Sequence, residues 1–336
     1  MRTREGRRGL LFICILAVVL LALLLLSFGL GRYAVPPAEV IRILLSRIFP
    51  VTPSWTEQME TAVISIRLPR ILLVGGCLSA AGTAYQSVFR NPMAAPDILG
   101  ASSGACFGAA LAILLGFSRS GVTALAFVSS LLSVALVYAI ARRAKGNPVT
   151  MLLLAGVMIG SLFSACTSYV KLVADPTNQL PAITYWLMGS LSGTRMNAVG
   201  FAAVPMLIGL APLLALRWRI NLLTLDEEEA RSMGVNTGRL RLVVILCATV
   251  LTAACVAVSG MIGWVGLVIP HLSRKLVGSN CRYLLPASTI FGAIFLLLVD
   301  NISRNLLATE IPIGILTAFV GAPFFLYLMT RKEQLL

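Results

Sequence analysis

The chain has one histidine, His271, and charged side chains make up only 12% of its 336 residues. A lone histidine cannot build a histidine-based metal site or proton relay within one chain. Soluble domains carry about 25% charged residues, so a fraction half as large excludes an ordinary soluble fold. The seven cysteines (14, 77, 106, 166, 247, 255, 281) contain no C-x-x-C spacing, and six of them lie in apolar runs. There they act as small hydrophobes, and neither a disulfide framework nor a metal site is indicated. No G-x-x-x-x-G-K-[ST] occurs, so the chain has no phosphate loop with which to hydrolyse ATP. Acidic residues are also scarce: 13 stand against 27 Lys and Arg, a net charge of +14. No groove-reading motif accompanies that charge, which excludes nucleic acid as a partner; the basic residues instead cluster in short loops. The eleven methionines are scattered rather than spaced as a soft-metal path, and no cofactor is expected on this chain.

What the chain has is long uncharged runs. Residues 71–89 form a 19-residue run between Arg67-Leu68-Pro69-Arg70 and Arg90-Asn91-Pro92. At about 1.5 Å per residue this just covers a hydrocarbon core of about 30 Å. Gly75, Gly76, Ser79, Ala80, Ala81, Gly82 and Ala84 crowd its interior. Small residues let helix backbones approach closely in lipid, so this helix packs against protein, and Gln86 near its end needs a partner. The apolar stretch 9–31 is too long for a signal peptide and reads as a retained first span.

The runs predict an all-α polytopic membrane protein, one transmembrane domain over 1–336. The spans are about 9–31, 67–89, 98–118, 120–141, 149–170, 199–216, 240–259, 261–277, 283–303 and 311–330. The uncharged stretch 242–273 decides the count. As one helix it would be about 48 Å long and would put its flanking basic groups on opposite faces. Two spans broken around Ser259-Gly260 and Gly263 return both groups to one side. Ten spans place both termini inside, with 18 Lys and Arg inside and 9 outside, as the positive-inside rule requires. Opposed starts in the two halves are compatible with an inverted repeat.

The longest inside loop carries Leu225-Asp226-Glu227-Glu228-Glu229-Ala230-Arg231-Ser232-Met233-Gly234. Thr224 and Glu227 have capping-box spacing, acidic residues crowd the first turn, and Gly234 suits a left-handed stop. A helix of about two turns over 225–233 is predicted. It is too short to stand alone, and its acidity argues against an anionic leaflet and for a protein partner.

Several blocks resemble the permeases of ABC importers for iron-siderophores, haem and cobalamin. They are R-L-P-R at 67–70, the Gly82–Gly100 stretch ending R-N-P-M-A-A-P-D-I-L-G, L-D-E-E-E-A-R-S-M-G-V at 225–235, G-M-I-G-W-V-G-L-V-I-P-H-L-S-R at 260–274, and D-N-I-S-R at 300–304 with E-I-P-I-G at 310–314. The resemblance covers nearly the whole chain. It implies a multi-pass subunit of the bacterial cytoplasmic (inner) membrane. Its partners would be a second permease chain, identical or sister, cytoplasmic ABC ATPases that use ATP and Mg, and an extracytoplasmic binding protein.

The resemblance further implies that the fifth and tenth spans line the path and that 225–233 is the helix docking the ATPase, with Leu225 to Arg231, Met233 and Gly234 as its residues. Asp226 and Met233 replace the family's usual glycine and leucine. Arg67, Arg70 and Arg304 match arginines that meet the binding protein. Their position outside already breaks the inward bias of cations, although snorkelling, or pairing with Asp300 or Glu310, would also account for them. Pro148, Val149 and Thr150 fall at the inner gate. An ion-driven secondary transporter is the alternative. It would need a carboxylate near the midplane, and Asp97 and Asp300 both fall at span ends in this topology.

Overall fold

The structure is a computed structural model that describes residues 2–29, 35–46, 49, 54–61, 63–64, 74–192, 196–225, 227–307 and 309–330. Its elements are α1 (Arg2–Gly29), α2 (Pro37–Leu45), α3 (Glu57–Glu60), α4 (Val74–Val88), α5 (Ala101–Leu114), α6 (Arg119–Arg143) and α7 (Pro148–Val173). There follow α8 (Gln179–Leu187), α9 (Met196–Ile220), α10 (Glu227–Ser232), α11 (Thr237–Ser259), α12 (Val265–Val277), α13 (Cys281–Asn305) and α14 (Ile313–Thr330). Six of these, α1, α6, α7, α9, α11 and α13, are long and apolar enough to cross a membrane by themselves. The protein is an all-helical, multi-pass membrane protein. Arg67 and Arg70 lie outside the described residues.

α9, α11, α12 and α13 surround α4, in which every residue from Val74 to Val88 is buried. The physical cause is its run of small side chains. A Cβ on Gly75 or Gly76 would strike the backbone of α13 at Gly292 or Thr289, and one on Gly82 would strike the Gly266 carbonyl of α12. Backbones this close exclude lipid and maximise dispersion contact. Polar side chains of α4 bond to neighbouring helices, while Ser79 Oγ and Gln86 Oε1 are buried without a hydrogen bond to any described residue. Tyr85 and Thr249 of α11 share a hydroxyl hydrogen bond of 2.8 Å, and Gln86 Nε2 donates to the Leu267 carbonyl at 3.3 Å.

The structure departs from the expected boundaries in three places. The stretch expected as one span over 98–118 is a 3₁₀ turn, Pro96–Leu99, followed by α5, only 14 residues long. Gly100 and Gly116, at φ +73° and +72°, take left-handed conformations that close α5 off at both ends. The span expected over 261–277 begins at Val265, because 260–264 is non-helical, with Gly260 and Trp264 at φ +67° and +70°. The short helix expected over 225–233 is six residues, Glu227–Ser232.

The turn at 96–99 folds back into the bundle. The ring of Pro96 sits where a Cβ on Gly266 would be, and the Ile98 carbonyl sits where a Cβ on Gly156 of α7 would be. Gly266 also touches Gly82, so Pro96 lies level with the middle of α4. Non-helical backbone survives at such depth only when protein satisfies its polar groups. Here Ser130 and Ser133 of α6 donate to the carbonyls of Ala101 and Gly100, each at 2.8 Å.

Replacing Gly82 with Ala forces a methyl into the α12 backbone and is expected to cost about 1–3 kcal/mol. Gly263→Ala, where a Cβ meets nothing within 4 Å, serves as the control. Denaturation of the detergent-solubilised protein should show a lower midpoint for the first variant and wild-type behaviour for the second.

Candidate functional site

The loop that joins α9 to α11 is built as a platform rather than a tether. α9 ends in the basic turn of Arg217 and Arg219, and the chain tightens into a 3₁₀ turn, Asn221–Thr224, that buries Leu222 and Leu223. Asn221 carries the next link. Its Oδ1 accepts from the Cys281 N–H at 2.7 Å, and its Nδ2 donates to Asn280 Oδ1 at 3.0 Å. Asn280 Oδ1 also accepts from the Arg282 N–H at 3.0 Å, capping α13. One side chain therefore joins the end of α9 to the start of α13.

Arg90 supplies the second link, from the end of α4. Its backbone is left-handed, at φ +50°, which turns the side chain across to the platform. Nε donates to the Leu223 carbonyl at 2.9 Å, and Nη2 donates to the Leu225 carbonyl. These are charge-assisted bonds to two carbonyls flanking Thr224.

Thr224 does not form the capping box its spacing suggested. Its hydroxyl donates backward to the Asn221 carbonyl at 2.7 Å, and the helix starts only at Glu227. Asp226 lies outside the described residues. Among the described side chains of α10, Ala230 is fully buried and Glu229 and Ser232 are exposed, as is Met233 just past its end. The helix closes with Gly234 at φ +75° and the Val235 N–H bonded to the Ala230 carbonyl at 3.3 Å, a left-handed stop.

The residues expected at the inner gate form the start of α7. Asn147 caps it, accepting from the N–H groups of Val149 and Thr150 at 2.9 and 3.4 Å, with Pro148 in the first helical position. Asp97 is not at a span end but in the re-entrant turn, where it accepts from the Ser102 hydroxyl. Among the described residues no group of three or more His, Cys, Asp or Glu is placed to hold a metal ion.

Arg304, expected on the outer surface, is buried. Its Nε lies 2.9 Å from Asp300 Oδ2, and Nη2 donates to Ser27 Oγ at 3.1 Å and to Asn301 Oδ1 at 2.8 Å. Ser27, Asp300 and Arg304 are 0%, 2% and 7% exposed. A guanidinium in such a clamp holds α1 to α13 and offers little to a partner. The physical reason is desolvation: at that depth an arginine needs its carboxylate beside it.

Sequence reasoning missed Arg90 and the Asn221–Asn280 bridge. Arg90 ends an apolar run and so reads as an interfacial anchor. Asn280 before a helical run is an N-cap signal, but nothing local to it points to Asn221.

A helical membrane domain wound around one small-residue helix, with a short helix carried on a braced platform at one end, defines a permease subunit. The FecCD transport family model matches residues 19–331, and the chain belongs to that family. It is 41% identical over 322 residues to the molybdate import system permease protein MolB of Haemophilus influenzae, covering 95% of each chain. It is 39% identical over 321 residues to a probable iron chelatin transport system permease protein of Helicobacter pylori, covering 95% of this chain and 97% of that one. Among solved structures it resembles a metal-chelate type ABC transporter in an inward-facing conformation, with a TM-score of 0.84 and 40% identity, covering 94% of this chain and 98% of that one. The chain is accordingly a permease subunit of the ABC importer class.

Two variants test these links. Arg90→Met removes both bonds to the platform, each worth about 1 kcal/mol net. Amide hydrogen exchange across 221–235 should rise about tenfold or more while α4 stays protected. Arg304→Met leaves Asp300 without this cation and should cost about 3–5 kcal/mol. Pairing it with Asp300→Leu should recover most of that loss in denaturant titration.

Proposed function

We propose that this chain carries a ferric chelate across the bacterial cytoplasmic membrane, taking it from an extracytoplasmic binding protein and driven by ATPases docked on its cytoplasmic platform. The observation that carries the reading is the platform itself. The 221–225 turn before a six-residue helix, whose Glu229 and Ser232 are exposed, is braced through Arg90 and Asn221 to the ends of α4 and α13. Force applied to that turn reaches the central helix through the Arg90 bonds.

The excess of Lys and Arg around Arg142, Arg143, Arg217, Arg219, Arg239, Arg241, Arg274 and Lys275 supports a cytoplasmic position for this end. In this reading Leu225 to Gly234 meet the ATPase, and Pro148, Val149 and Thr150 flank the inner gate. Two permease chains, identical or sister, enclose the path between their α7 and α14 faces. Those faces expose Val157, Met158, Leu162, Phe319 and Val320, apolar side chains left for a partner or for lipid. The binding protein docks at the opposite end through Arg67 and Arg70, with Arg304 reassigned to an internal brace. ATP and Mg are bound by the ATPase subunits, and this chain holds no cofactor.

An iron chelate is favoured because relatives described as iron carriers recur among the similar proteins. Molybdate, cobalamin and haemin carriers occur there too, which is consistent with selection by the binding protein rather than by the permease.

The test is co-purification and uptake with the Glu227–Arg231 segment scrambled. The wild-type chain should bring an ATPase and, in proteoliposomes with ATP and the binding protein, import labelled ferric siderophore. The scrambled chain should lose both. Import that survives ATP depletion and stops with an uncoupler would contradict the reading. Saturation of the wild-type system by molybdate instead would overturn the cargo alone.

A further inference from the structure

The geometry points to a phospholipid site between α6, α9 and α11, at the end of the bundle that bears Arg119: an anionic headgroup in a chamber edged by Arg119 and several hydroxyls, and one acyl chain in the apolar groove that continues it. Both α6 and α9 pack along α11, which forms the floor between them. The chamber holds about 1230 Å³ and is bounded by the start of α6, by α8, by the start of α9 and by the last turn of α11. The groove holds about 510 Å³ and runs deeper between α6 and α9, over Val250 of α11.

The two spaces meet at a pair of rings. Phe127 of α6 and Phe201 of α9 stand edge to face with centroids 6.3 Å apart, and Phe201 lines both spaces. Arg119 and Phe127 are eight residues apart on one helix, a rise of about 12 Å, so the groove begins roughly one headgroup length along α6 from Arg119. Pro205 lies beside the groove, inside α9. It has no N–H for the Phe201 carbonyl, which loosens the helix there.

Charge and chemistry select the occupant. Among the described residues the chamber is lined by one cation, Arg119, and by no carboxylate. Ser118 caps the N-terminus of the 25-residue α6, accepting from the Gly121 N–H, and Ser120 and Thr123 add hydroxyls beside it; the positive end of the helix dipole there favours a phosphate. Tyr185 and Trp186 of α8 also line the chamber, residue types that settle at headgroup depth. The groove has no charged lining residue, and the adjoining faces of α6 and α9 expose Val128, Leu132, Val204 and Leu207. A hydrated chelate has no reason to enter such a groove, and a lipid tail does. The site is separate from the α7 and α14 faces assigned to the path.

The test uses the purified permease–ATPase complex, delipidated in detergent. It is titrated with phosphatidylglycerol or with phosphatidylcholine of the same chains and read by native mass spectrometry. The wild type should retain phosphatidylglycerol more tightly. Arg119→Gln should weaken it about fivefold, the effect of one interfacial cation, and leave phosphatidylcholine unchanged. Nothing lies within 4 Å of a Cβ at Gly200 in the groove, so Gly200→Phe should fill the tail space without disturbing the fold and lower the retention of both lipids. Free inorganic phosphate should not displace the bound lipid. Equal retention of the two lipids by the wild type, unchanged binding in both variants, or displacement by phosphate would each overturn the proposal. None of these outcomes bears on whether the chain imports a chelate.

Discussion

The structure depends on the close approach of α4 to α12, where Gly82 lies against the Gly266 carbonyl. In lipid there is no hydrophobic force between helices, so association rests on packing distance and on satisfied polar groups. Glycine on both helices removes the side chains that would hold the backbones apart. That contact sets where α12 can start and leaves a recess beside Gly266 that Pro96 fills. The re-entrant turn and the shortness of α5 follow from it. So does the use of serines on α6, which supply the hydrogen bonds that a helix at 96–100 would have made internally.

The same packing joins a short loop segment to the large membrane domain. Among the side chains of α10 that the structure describes, Ala230 is the buried one. Alone, such a helix would fray. Arg90 and Asn221 brace the turn that leads into it, through bonds to the Leu223 and Leu225 carbonyls and to the start of α13. Because Arg90 directly follows α4, a displacement of the platform is passed to the element that contacts α11, α12 and α13. The clamp of Arg304, Asp300 and Ser27 does a similar job near the other end of α13, holding α1 to the bundle.

Much of this was legible in the residues, and the failures have specific causes. The small residues of α4 announced a packed helix, Gln86 announced a partner, and Gly234 announced a stop. The 98–118 stretch hid its turn because Ile98, Leu99 and Gly100 are as apolar as a span. Only the recess at Gly266, far away in the chain, draws them out of the helix. Arg304 was visible one turn after Asp300, a spacing that fits either an exposed pair or a buried one. Its burial is decided by Ser27, 277 residues earlier. Thr224 had the right neighbour for a capping box, but its hydroxyl was taken by the preceding 3₁₀ turn, a competition local to the backbone. Pairwise spacing showed which groups needed partners, and long-range packing chose the partners.

The central claim is that the exposed side of the short helix before Gly234 is where a separate ATPase takes hold. A photo-crosslinking residue in place of Met233, which is 63% exposed, tests it most directly in intact cells. The account predicts a single adduct with the nucleotide-binding subunit, lost when ATPase expression is withheld. Labelling of that position by a membrane-impermeant reagent added outside the cell, with no such adduct, would contradict it.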